Sequence, residues 1–62
     1  MTLKAFLNLY DNWYNITVQV NDNNLQPIVK GNPFEVLSHE DVGNKEVVVF
    51  GVHDNELCVR VK

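Results

Sequence analysis

The segment Val47-Val48-Val49-Phe50-Gly51-Val52 is a nearly unbroken run of β-branched and aromatic residues. Such residues favour extended backbone, and a strand that is apolar at every position is the pattern of one covered on both faces. The run predicts a central strand, so any fold open to this chain contains a sheet built around it. Only 62 residues are present to supply the cover. That is near the lower limit at which one hydrophobic core offsets the loss of chain entropy without a metal, disulfides or association. The sequence therefore predicts one domain, residues 1–62, and makes association with another chain an expectation from the start.

The elements around the run follow from periodicity. Leu3, Phe6, Leu7 and Tyr10 fall on one helical face, with Thr2 available as N-cap and Asp11-Asn12 as a stop, which predicts an amphipathic helix over 3–11. From Asn15 the period becomes two, with Ile16, Val18 and Val20 on one side and Asn15, Thr17 and Gln19 on the other. The polar stretch Asn21-Asp22-Asn23-Asn24 reads as a turn, and a return strand follows over 25–30. Pro27 places that strand on an edge or at a bulge, because proline has no N–H for the ladder. Asn32-Pro33-Phe34-Glu35 carries the signature of a capped helix start, with Asn32 as N-cap, Pro33 at N1 and Glu35 reaching back. It predicts a short helix to about Ser38 with Phe34 and Leu37 turned inward, then a loop or a further irregular turn over 38–44. After the valine run, His53-Asp54-Asn55-Glu56 reads as a turn. Leu57, Val59 and Val61 then alternate with Cys58, Arg60 and Lys62 as a half-exposed strand. The expectation is an α+β domain of order α-β-β-α-β-β, with a mostly antiparallel four-stranded sheet packed by one amphipathic and one short helix.

Laying the second half on the first at an offset of 32 pairs Val20 with Val52, Asp22-Asn23 with Asp54-Asn55, and Leu25 with Leu57. A duplicated helix-plus-hairpin unit would give this likeness, and so would two valine-rich hairpins joined by Asp-Asn turns.

Composition narrows the chemistry. The formal net charge is −3, and the five Lys and Arg residues are scattered, whereas phosphate-backbone binding needs a concentrated basic surface. Nucleic acid is disfavoured as a partner. One cysteine, Cys58, precludes an internal disulfide and points to a reducing compartment. The start of the chain is interrupted by Lys4, Asn8 and Asp11, too short and polar for a signal peptide or a membrane span. A cytoplasmic location is expected.

No catalytic constellation is evident. His39 and His53 each adjoin carboxylates, but adjacent residues diverge on a loop and no spaced ligand set accompanies them. Cys58 has no oriented base beside it, and Ser38 lacks the strained, glycine-flanked turn of a hydrolase nucleophile. Gly31, Gly43 and Gly51 are too far apart to form a phosphate loop. No enzyme activity, metal or cofactor is expected. The asparagines sit mainly at caps and turns, where their side chains bond to local backbone. Tyr10, Trp13 and Tyr14 cluster where the first helix hands over to the first strand. They are the candidate partner-binding residues, since aromatics are enriched at binding hot spots; the alternative is that they cover one end of a small core.

The opening Leu-x-x-Phe-Leu-x-Leu pattern, Leu3 to Leu9, and the closing Asn-x-Leu-x-Val, Asn55 to Val59, give the chain a resemblance. Over its whole length it resembles the short uncharacterised accessory proteins carried by phages and prophages of low-GC Gram-positive bacteria. The resemblance implies a protein that acts by binding a host or phage protein, including inhibition of host immunity components such as a defence nuclease. A second class is a small structural homo-oligomer associating through a sheet edge or an apolar face. A third, a nucleic-acid-binding module, predicts salt-sensitive mobility shifts.

Overall fold

The computed structural model describes residues 1–10 and 15–62. Seven elements follow in order: α1 (Leu3–Leu7), β1 (Thr17–Asn21), β2 (Pro27–Gly31), α2 (Pro33–Leu37), α3 (Glu40–Gly43), β3 (Val47–His53) and β4 (Glu56–Val61). The class is α+β as expected, with a single-turn helix, α3, where a loop or irregular turn over 38–44 is expected from the sequence. The four strands form one sheet in the order β2-β1-β4-β3. Both hairpins are antiparallel, but β1 and β4 lie parallel in the middle, so the sheet is mixed.

Local chemistry sets the element boundaries. The Thr2 hydroxyl accepts the Ala5 N–H at 3.2 Å and starts α1. The helix ends at Leu7, shorter than the 3–11 expected, and one further turn carries the chain to Tyr10, whose N–H donates to the Leu7 carbonyl. Leu3 and Leu7 are fully buried and Phe6 packs beside them, while Tyr10 leaves the helical face and is exposed. The stop expected at Asp11-Asn12 lies outside the described residues. At α2 the capping box is complete: the Asn32 side chain accepts the Glu35 N–H at 2.9 Å, and the Glu35 carboxylate accepts the Asn32 N–H at 3.3 Å. The inward face of this helix is Pro33 and Val36, not Phe34, which is 59% exposed; Leu37 is partly buried. In a five-residue helix the i, i+3 pair that starts at the proline settles the matter, and Phe34 is one step out of phase.

The first hairpin turn is tied by Asp22, whose carboxylate accepts the Asn24 and Gln26 N–H groups at 2.8 and 2.9 Å. The residue that takes the left-handed conformation there is Leu25, at φ 64°, although asparagines precede it. A branched side chain costs about 1–2 kcal/mol in that region. Leu25→Asn is therefore expected to raise stability by about 1 kcal/mol, read as a rise of roughly 4–8 °C in the thermal midpoint; an unchanged midpoint would mean that Leu25 recovers the strain through its contacts. The second turn uses Asp54 and Asn55, at φ 51° and 64°, a two-residue connection in which both positions are left-handed. His53 and Glu56 belong to the flanking strands, not to the turn.

One side of the sheet carries the core. Val18 and Val20 of β1 and Leu57, Val59 and Val61 of β4 pack against Leu3, Leu7, Val36 and Val42 of the three helices. The alternation read for β1 and β4 thus holds, and these are the two interior strands. Residues paired at the offset of 32 occupy unlike places: Val20 is buried and Val52 is 67% exposed, Leu57 is buried and Leu25 is 64% exposed. The topology gives the proposed duplication no support, since β1 is interior and β3 is an edge.

Candidate protein-binding edge

The valine run forms β3, and β3 is an edge strand, which corrects the expectation of a central one. Val48, Val49, Phe50 and Val52 are 43, 46, 58 and 67% exposed. The reason is supply. Among the described residues the helices lie on one side of the sheet and pack mainly against β1, β2 and β4, so a strand apolar on both faces is left largely exposed. Phe50 shares the core side with its cross-strand partner Val59 and stacks on Phe6, ring centroids 4.7 Å apart, yet remains 58% exposed.

The two edges of the sheet are built differently. On β2, Pro27 removes a ladder donor and Lys30 places a charge, devices that discourage a further strand from docking, whereas a break in register is common to both edges, at Ile28 on β2 and at Val48 on β3. On β3 only the beginning is occupied: the Leu3 N–H donates to the Lys45 carbonyl at 2.8 Å and the Val47 N–H to the Met1 carbonyl at 2.9 Å. Beyond Val47 no described residue pairs with the edge. In a hairpin closed by two residues, His53 and Glu56 form a hydrogen-bonded pair. Along the same strand Gly51 and Val49 then face β4, and Phe50 and Val52 direct their N–H and C=O groups outward. Four backbone groups and a contiguous apolar surface lie on this edge.

At the start of β3 the Glu46 carboxylate accepts a hydrogen bond from the Met1 ammonium at 2.7 Å. That bond, the Met1 charge and, more weakly, Lys62 hold its pKa below the usual carboxylate value. The stability this contributes is present above the unfolded-state pKa and is lost as pH falls through the folded one. Glu46→Gln is expected to flatten that acid limb of a stability-against-pH profile; an unaltered limb would show that the pair is inert.

Of the expected partner-binding residues, Tyr10 is 42% exposed and, with Ile16 and Val52, lines a shallow depression at the end of the β3–β4 hairpin. It thus adjoins the apolar edge. Trp13 and Tyr14 lie outside the described residues. The sequence places Phe50 and Val52 in a covered central strand and does not single them out as site residues. Their signal was present in the mismatch between a strand needing two covered faces and a chain with three short apolar helical segments to cover them.

Among the described residues no group of three or more His, Cys, Asp or Glu side chains could hold a metal ion, and no helix is long and apolar enough to cross a membrane. His39 caps α3 by position without a side-chain hydrogen bond. Cys58 is half-buried on the side of the sheet away from the helices. No protein-family model, curated protein or solved structure matches this chain.

Proposed function

We propose that the protein is a binding module that adds its open β3 edge to an extended segment or sheet edge of another protein, and that it acts through this contact and not as an enzyme. The observation that carries the reading is the asymmetry of the sheet: β2 is guarded, whereas β3 leaves outward backbone groups at Phe50 and Val52 between apolar side chains. Strand addition uses such groups for affinity and the alternating side chains for specificity. Tyr10 extends the apolar surface on the core side. In the setting implied by the resemblance to phage accessory proteins, the partner is a host protein, including one that serves in defence, and the contact inhibits it. Affinity capture from a Gram-positive host lysate tests the reading. One partner is expected in stoichiometric amount, and its absence would overturn it.

A second reading is supported by the same edge. Two copies of β3 can pair antiparallel about Gly51, setting Phe50 of each opposite Val52 of the other with their outward groups matched. Light scattering at high concentration separates the two: a dimer lost in Val52→Lys supports self-pairing, and a monomer throughout supports a foreign partner.

A further inference from the structure

The side of the sheet away from the helices holds a groove bounded by Asn21, Leu25, Val49, Gly51, His53 and Arg60. Gly51 makes its floor. A Cβ added there would meet nothing within 4 Å except His53 Nε2, at 3.8 Å, so the space above the strand is empty and the imidazole leans over it. Arg60 stands in register between Asn21 of β1 and Val49 of β3. Its Nε is shielded from solvent and has no hydrogen-bond partner. The ion pairs among the described residues join Met1 to Glu46 and Lys30 to Glu56, so neither uses Arg60, in a chain richer in acid than in base. Beside it, the Asn21 side-chain oxygen accepts the Gln19 Nε2 hydrogen bond at 3.0 Å, which leaves the Asn21 amide donors for another acceptor. Three nitrogen-bearing side chains border the groove, no carboxylate does, and Leu25 and Val49 make apolar walls.

A shielded guanidinium donor without an acceptor is costly, and its planar fork matches the oxygens of a carboxylate. We infer that this groove is an oxyanion site that takes the carboxylate of an acidic side chain flanked by apolar residues on a partner polypeptide. Arg60 supplies the fork, Asn21 and His53 further donors, Gly51 the room, and Leu25 and Val49 the surfaces for the flanking residues. The inference rests on the protein-binding reading for the source of the carboxylate only; free phosphate is the other source of the same oxygen chemistry.

The test is an NMR titration of the whole ¹⁵N-labelled chain with a capped Leu-Glu-Leu peptide, its Leu-Gln-Leu counterpart and inorganic phosphate. Saturable shifts are expected at the Arg60 Nε–H, the Asn21 side-chain amide and the Gly51 amide with the glutamate peptide. Affinity should be at least about tenfold lower with the glutamine peptide and with phosphate. Gly51→Val fills the groove while suiting a strand, and should lower the peptide affinity about tenfold or more with the amide spectrum otherwise retained. Arg60→Gln, on the solvent side of the sheet, should abolish the shifts and stands in if the valine variant does not fold. Equal titration of wild type and Arg60→Gln, phosphate binding as tight as the peptide, or shifts spread evenly over the lysines would each overturn the site. Peptide binding at the groove without any partner captured from lysate would leave the site standing and remove the protein-binding reading instead.

Discussion

Leu7→Ala is expected to leave the protein largely unfolded at 25 °C. Leu7 is fully buried between α1 and the sheet, among Leu3, Val36, Val42 and the valines of β1 and β4. Truncating a buried leucine costs about 2–5 kcal/mol through lost transfer free energy and the cavity left behind. A core in a domain of this size rarely supplies more than about 3–5 kcal/mol in total. The two figures are of the same order, so the folded fraction at zero denaturant should fall from nearly all to a minority. Circular dichroism through a urea titration reads this directly. Leu9→Ala, two residues on and 71% exposed, is the matched control and should change stability by less than about 0.5 kcal/mol. If the Leu7 variant loses under about 1 kcal/mol, the core closes over the gap and the packing described for α1 is wrong.

The second large effect is on association. Phe50→Lys combined with Val52→Lys puts two charges on the open edge, the device by which natural edge strands repel a further strand. Both side chains are exposed, and the change gives up the Phe6–Phe50 ring pair. Partner affinity should fall by about 30-fold or more, since a central apolar anchor contributes about 2 kcal/mol or more. The urea midpoint should drop modestly. Calorimetry with the captured partner, or light scattering if the partner is a second copy, measures the loss. Val52→Lys alone, at the more exposed position, separates affinity from folding. Undiminished binding by a folded double variant would remove β3 from the contact, leaving Tyr10 and the depression beside it as the surface to alter next.

Much of this architecture is written in local pattern. The α2 start could be read from four residues because a capping box needs only an asparagine, a glutamate three positions on and a proline that fits the first turn. The alternation in β1 and β4 could be read because their second face meets solvent. Pro27 announced an edge strand, and β2 is one. The errors have a common origin in long-range competition for a small supply of apolar surface. Phe34 was assigned inward on hydrophobicity alone, but Val36 and Pro33 hold the inward face of so short a helix. α1 ends at Leu7 although Tyr10 continues its spacing. The candidate site suffered most: Tyr10 could be named from the sequence, whereas Phe50, Val52, Gly51 and Arg60 come together through strand order.

For the valine run, an extended backbone over residues 47 to 52 follows from residue type, because branching at Cβ constrains φ, ψ and χ1 within each residue. The caps of α1 and α2, the places of the two hairpin turns and the alternation of β1 and β4 follow in the same way from neighbours a few positions away. The tertiary structure alone decided that the run lies at the edge. A strand is central only if two others flank it, and here the parallel pairing of β1 with β4 fills the middle of the sheet. With all three helices on one side, the most apolar strand of the chain ends with a bare face and an open edge, and that is where its function is proposed.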